Sequence, residues 1–218
     1  MKLLELQLGE KLSNASVVWN PCKVANIKPP AWPKESHLWR MACVARLDLA
    51  AKGQDLLFQV LGQRQWRERP IEVNLYGAGK CERTLKKLAA GLQLQNVHFR
   101  DHVSDVKAIW EENHLLVLPS RYEGLPLVLV EAMWCARPSL VTDIGGNAEL
   151  CVDGETGFVA AAPTVNLFDQ ALERAWNHRH EWQKMGNAAR ARVEQLIPKD
   201  PIGDFCRQLT ESAKHNHA

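Results

Sequence analysis

The chain has 218 residues, 46% hydrophobic and 24% charged, which excludes a disordered or fibrous protein and suffices for one domain and part of a second. Lys and Arg total 27 against 25 Asp and Glu, a net charge of +2. No global field therefore draws it to nucleic acid or an anionic membrane, and any anion site must be local. Six scattered cysteines form no C-x-x-C pair, which reads as buried reduced thiols rather than a disulfide framework or zinc site. The apolar start is broken at Glu5, too early for a secretory leader, and no run reaches the ~18 apolar residues of a spanning helix. A cytoplasmic protein with no transmembrane segment and no nucleic-acid partner is expected.

Residues 1–37 carry Pro21, Pro29, Pro30 and Pro33, which predict an extended, linker-like path. From Leu38 a regular alternation begins. Leu38–Leu47 predicts a strand, followed by a helix with Leu57, Val60 and Leu61 on one face. Ile71–Tyr76 predicts a second strand ending at Gly77-Ala78-Gly79, then a helix through Leu85, Leu88 and Ala89 stopped at Gly91. Asn96–Phe99 is a third short strand, and Val106, Ile109 and Trp110 mark a short helix. His114–Pro119 is continuously apolar, as in a strand buried on both faces. A helix over Pro126–Cys135 follows, with Pro126 in its first turn. Pro138–Thr142 is a further strand, Gly154 and Gly157 flank a turn into Phe158-Val159, and residues 164–213 read as helical.

This alternation implies an α/β fold, a Rossmann-like parallel sheet of right-handed βαβ units with helices on both faces. Ligands of such sheets bind beyond the carboxyl ends of the strands. Five loops follow from this: 46–52, 77–80, 100–104, 120–126 and 142–147.

In the first loop, Arg46 and Lys52 could converge on a diphosphate, the one as a planar fork of donors and the other as a point charge. Equally, they could be two solvated surface cations. The second loop, Gly77-Ala78-Gly79-Lys80, permits close approach to a ligand or simply a tight turn. It lacks the third glycine of a dinucleotide fingerprint, since position 82 is Glu, which disfavours a nicotinamide site.

Glu123 lies in the fourth loop and Glu131, seven residues further in between, in the helix after it. Amides of Gly124, Leu125 and Leu127, beside Pro126, would point from that helix N-terminus toward a phosphate. Glu123 would accept hydrogen bonds from a hydroxyl-rich ligand. Glu131 interrupts an apolar stretch and needs a partner. Vicinal hydroxyls of a ribose would serve, and so would a salt bridge to Arg46 or Lys52. The fifth loop, Thr142–Asn147, could line the same cleft or form a turn with Asn147 as helix cap.

Together these residues resemble the family 4 glycosyltransferases of GT-B fold, also called glycosyl transferases group 1, specifically their C-terminal donor-binding domain. The resemblance runs from Leu38 to Leu196. It is carried by Val44-Ala45-Arg46-Leu47-Asp48 with Lys52-Gly53, by Leu75–Gly79, by Pro119–Pro126 through Glu131-Ala132-Met133 (an E-x7-E signature), and by Pro138–Asp143, Gly145-Gly146-Asn147 and Asp153–Gly157. It implies that Arg46 and Lys52 hold the diphosphate of a UDP- or GDP-sugar. Glu123 would bind the donor sugar, Glu131 the ribose, and the amides from Gly124 to Leu127 the phosphate. Gly77, Gly79, His102 and Val103 would complete the donor site, the last two near the base.

Members of the family retain anomeric configuration and need no metal, so no cofactor or metal is expected. Ala45 and Ala136 stand where the family has glycine, small replacements expected to be harmless. The resemblance further implies three parts: residues 1–37 as the remnant of an N-terminal domain and linker, 38–200 as the nucleotide-sugar-binding domain, and 201–218 as C-terminal helix and tail. The acceptor half is expected to be missing. The chain would then be a hexosyltransferase half, inactive without an acceptor-domain polypeptide and prone to self-association through the exposed interface. The alternative is a non-catalytic nucleotide-sugar-binding or interaction module.

Overall fold

The computed structural model describes residues 5, 7–12, 15, 17–25, 28–34, 37–101 and 103–215. Six strands form one parallel sheet: β1 (Trp39–Val44), β2 (Ile71–Tyr76), β3 (Val97–Arg100), β4 (Leu115–Leu118), β5 (Ser139–Thr142) and β6 (Gly157–Ala160). Their order is β3-β2-β1-β4-β5-β6. The chain winds one way from β1 to β3 and the other way from β4 to β6, so the loops leaving β1 and β4 part and leave a crevice between them.

Burial on both sides shapes the strand sequences. Met41 and Cys43 of β1 join one core with Leu57, Val60, Phe168 and Leu172, while Ala42 between them is equally buried and points to the opposite face. Leu115 and Val117 of β4 belong to that first core as well, and Leu116 and Leu118 are inaccessible on the other side. Each such side chain contributes about 2 kcal/mol of gross burial energy, which leaves no position in β4 for a polar residue.

The helices are α1 (Leu49–Lys52), α2 (Gln54–Leu61), α3 (Arg64–Arg67), α4 (Glu82–Gly91), α5 (Val106–Glu112), α6 (Leu127–Trp134), α7 (Asn147–Leu150), α8 (Val165–Asn177), α9 (Trp182–Leu196) and α10 (Pro201–His215). A 3₁₀ turn at Arg179–Glu181 separates α8 from α9. On one face, Trp66 of α3 donates its indole to Asp169 Oδ1 of α8 at 2.5 Å, and Arg69, just after α3, forks onto Glu173 of α8 at 2.6 and 2.8 Å.

Several boundaries differ from the sequence expectation for physical reasons. β1 ends at Val44, where the chain leaves the ladder to run beside the next loop: Ala45 N donates to Tyr76 O and Leu47 N to Ala78 O, both at 3.1 Å. Gly91 is the last residue of α4 rather than its stop, and Gln93 takes the left-handed turn at φ 54°. Pro126 is the N-cap of α6, with ψ 120°, and the helix starts at Leu127. The short helices α1 and α3 were not expected, because four residues are too few to show a helical period.

Ala136 sits at φ 55°, so its side chain in place of glycine carries strain of about 1–2 kcal/mol and is not harmless as expected. All six cysteines are free; Cys43, Cys135 and Cys151 are buried, but Cys206 is exposed, contrary to the expectation of buried thiols throughout.

By contacts the chain divides into two compact units, residues 22–195 and the terminal segments 1–21 with 196–218. The proline-rich segment 22–34 belongs to the first. Arg137, 1% exposed, holds it there by donating to Ala31 O as well as to the carbonyls of Asn113, Cys135 and Trp110, with its guanidinium 4.9 Å over Trp32. Burial lowers its pKa to about 10, which leaves it charged at neutral pH among four carbonyl oxygens. Among the described residues, no strand precedes Trp39 and no helix is long and apolar enough to cross a membrane.

Candidate functional site

Backbone contact holds the first two loops together. Gly77, at φ 133°, has its absent Cβ position 2.3 Å from Ala45 O, and that of Gly79 lies 2.4 Å from Leu47 O. These glycines let the second loop lie on the first. Within the first loop, Gln54 Nε2 donates to Arg46 O at 2.9 Å and fixes the main chain there. The Arg46 side chain is 68% exposed and reaches Asp48 Oδ2 at 3.2 Å, an oxygen that Lys80 Nζ approaches to 3.9 Å.

Residues 119–124 fold back against the same corner. Gly53 turns at φ 63° with its Cβ position 2.0 Å from Pro119 O, so the corner between α1 and α2 meets the end of β4 backbone to backbone. The amides of Arg121 and Tyr122 both donate to Ala51 O, at 2.9 and 3.1 Å. Thr142 Oγ1 donates to Ser120 O at 2.6 Å. These constraints bring Lys52 Nζ to 2.7 Å from Glu123 Oε1, which also accepts from Ser120 Oγ at 2.7 Å. Glu123's side chain is 6% exposed and that of Lys52 22%. The pair sits where the loops of β1 and β4 part, the position at which such sheets bind ligands.

Arg46 and Lys52 thus share one loop, but each meets its own carboxylate. Glu131 meets neither, so its reading as a salt-bridge partner of Arg46 or Lys52 is incorrect: Lys52 is taken by Glu123 and Arg46 by Asp48. Half-buried on α6, Glu131 has no ion-pair partner among the described residues. Burial lifts its carboxyl above the usual range, and the charge of Lys23 only partly opposes this.

The fifth loop closes on the fourth. Gly145, at φ 59°, has its Cβ position 2.3 Å from Glu123 O and 2.5 Å from Gly124 O, and Gly146 N donates to Gly124 O at 2.7 Å. Asn147 does not cap a helix: it is the first residue of α7, and its side chain donates to Thr142 O.

At the start of α6, Gly124 is exposed, Leu125 half-buried, Pro126 buried and Leu127 exposed. Val103 is half-buried, and His102 lies outside the described residues. The root of the third loop is fixed by a polar chain in which Arg100 Nε donates to Asn74, Asn74 to Asn113, and Asn113 to the Tyr76 hydroxyl.

Five residues had no role assigned from the sequence: Asp48, Gln54, Asp55, Ser120 and Arg121. Ser120 and Arg121 stand inside the motif that carries Glu123. Ser120 pairs with Glu123 at a local S-x-x-E spacing that the sequence does show, whereas the partner of Arg121 lies 66 residues away, and a single sequence gives no signal for such pairing. The finished arrangement offers a cation beside a buried carboxylate, an exposed arginine and a helix N-terminus. It suits a ligand that carries both anionic oxygens and hydroxyls.

The chain resembles known proteins in sequence and in fold. A relative, the D-rhamnosyltransferase WbpZ of Pseudomonas aeruginosa, is 32% identical over 151 residues, which are 67% of this chain and 38% of the relative. A GDP-mannose-dependent phosphatidylinositol monomannoside mannosyltransferase of Corynebacterium glutamicum is 30% identical over 79% of this chain and 47% of its own length. The chain therefore spans less than half of these two relatives. The crystal structure of Anabaena HepE in complex with UDP-glucose superposes with a TM-score of 0.78 at 19% identity, over 97% of this chain and 61% of that one. Residues 40–178 match the family of glycosyl transferases group 1, and the chain belongs to that family.

Proposed function

We propose that this chain is the nucleotide-sugar donor-binding half of a retaining glycosyltransferase, which transfers a hexosyl group from a UDP- or GDP-sugar once an N-terminal acceptor domain completes it. The observation that carries this reading is the Lys52–Glu123 contact of 2.7 Å between two loops at the switch point of the sheet. Glu123 Oε1 is occupied by Lys52 and Ser120, whereas Oε2 accepts no hydrogen bond among the described residues. Oε2 is the atom open to a sugar hydroxyl.

In this reading Lys52 and Arg46 turn from their carboxylates to the diphosphate, and the N-terminus of α6 adds its amides. Their charge is most useful as the sugar–phosphate bond breaks, when the leaving diphosphate gains negative charge. No metal or other cofactor is required for that neutralisation. Glu131, whose carboxyl is raised above its ordinary value by burial and only partly opposed by the charge of Lys23, takes the ribose hydroxyls.

Support comes from the family and from the UDP-glucose complex of a protein of the same fold. Calorimetric titration with UDP, GDP and ADP tests the reading, together with a transfer assay with and without an acceptor-domain polypeptide. Binding of UDP or GDP, weakened in both Lys52→Ala and Arg46→Ala, is the expected result. Unchanged affinity in those variants refutes the diphosphate assignment, and robust transfer by the chain alone refutes the need for an acceptor half.

A further inference from the structure

We propose that Arg121 is a positioning residue for the donor site: by clamping residues 119–124 onto α1 and α2 it fixes the approach of Glu123 to Lys52. This rests on the donor-binding reading above and adds to it a residue that touches no ligand.

The guanidinium forms a fork with Asp55, Nη1 to Oδ1 at 2.6 Å and Nη2 to Oδ2 at 2.9 Å, and Nη1 also donates to Leu49 O at 2.8 Å. Asp55 stands in the first turn of α2, where the helix dipole favours a carboxylate. One side chain therefore grips both helices at once.

Sequence adjacency makes the grip consequential. Ala51, whose carbonyl takes the amides of Arg121 and Tyr122, directly precedes Lys52, and Tyr122 directly precedes Glu123. The anchors are one residue from each member of the pair, so slack in the clamp passes straight into the Lys52–Glu123 distance. On its outer side the loop leaves Tyr122 77% exposed, and beyond Glu123 the fifth loop holds it through Gly146 N to Gly124 O, so residues 121 and 122 depend on the clamp.

Only arginine meets both carboxylate oxygens in one plane while a third donor direction remains for Leu49 O. As a contribution to stability, an ion pair with side chains 33% and 22% exposed would be small. Its geometry is better matched to holding a loop than to holding a fold.

The test uses the full chain with Arg121→Lys, Asp55→Asn and the double variant. Arg69→Lys serves as control, because it breaks a comparable fork, Arg69–Glu173 at 2.6 and 2.8 Å, on the α3–α8 wall. Hydrogen exchange over residues 119–126 and titration with UDP and UDP-glucose are the two readouts.

Arg121→Lys should speed exchange in that segment and weaken UDP-glucose binding, each about tenfold, with a smaller loss for UDP, which lacks the group Glu123 meets. Asp55→Asn should do the same, and the double variant should be no worse than either single one. Arg69→Lys should change neither readout. Exchange in 119–126 that is equal in Arg121→Lys and Arg69→Lys, or an equal loss for UDP and UDP-glucose, overturns the proposal. A wild-type chain that binds neither UDP nor GDP, with or without the sugar, instead overturns the donor-binding reading, and exchange alone then decides whether Arg121 holds the loop.

Discussion

Gly145→Ala separates two reasons for a glycine at the same site. Gly145 has φ 59°, and an added Cβ would lie 2.3 Å from Glu123 O and 2.5 Å from Gly124 O. Left-handed backbone costs an L-residue about 1–2 kcal/mol, offset by about 0.4–1 kcal/mol because alanine restricts the unfolded chain more than glycine. Separating the two loops by the missing half ångström or more adds about 1–3 kcal/mol, as overpacking does elsewhere. The expected loss is therefore about 1–5 kcal/mol. Gly154 provides the matched control, with φ 78° and nothing within 4 Å of its Cβ position; Gly154→Ala should cost only the backbone difference, about 1 kcal/mol or less. Urea unfolding of both variants, with unchanged m-values, gives the comparison. Equal losses would refute the argument that the glycine serves the contact between the fourth and fifth loops.

Three further outcomes are expected. Glu123→Gln removes the charge that occupies Lys52, so UDP should bind more tightly by on the order of 1 kcal/mol while the gain from UDP to UDP-glucose shrinks; weaker UDP binding in titration would contradict this. Ala136→Gly relieves a φ of 55° and should raise the urea midpoint by the equivalent of about 0.5 kcal/mol, the backbone strain less the extra entropy of unfolded glycine; a lowered midpoint would show that the turn carries no such strain. His114 is buried between Trp32 and Trp39, accepts from Arg40 N on Nδ1, and has its pKa lowered to about 4 by desolvation. Between that value and the ~6.5 of an unfolded histidine, only the unfolded chain takes the proton, so stability falls as the pH drops through this window, by about 2 kcal/mol at pH 5. His114→Asn, which can keep the acceptor without the titration, should remove that part of the slope, and an unchanged slope in urea midpoints would rule out His114 as its source.

The parallel sheet could be read because burial on both faces forces sequences such as Leu115–Leu118, where no polar residue interrupts the run. Glu131 stood out for the opposite reason, as a carboxylate where apolar side chains were the rule, and Glu123 by its place in the loop just before that helix. What escaped was pairing across sequence distance. Nothing local to Lys52 says that its partner is Glu123 rather than Glu131, since both stand near the same helix start and loop closure alone decides between them. The clamp of Arg121 on Asp55 was hidden in the same way, and so was the purpose of Gly77 and Gly79, which depends on a main-chain approach visible only once the first loop is in place. Ala136 shows the reverse failure, a substitution judged by size when the backbone angle decides its cost.

The cysteines give the fold an internal unfolding clock. Cys43 on β1, Cys135 after α6 and Cys151 after α7 are buried, and desolvation pushes each thiol to a pKa of about 12. In the native state they carry almost no thiolate at pH 8 and offer no path to a reagent. Cys206 is exposed and Cys22 and Cys81 half-buried, so alkylation should proceed in a fast group and a slow group. The slow group samples both faces of the sheet and its β5–β6 side, and its labelling rate reads the opening of the whole core without any engineered probe.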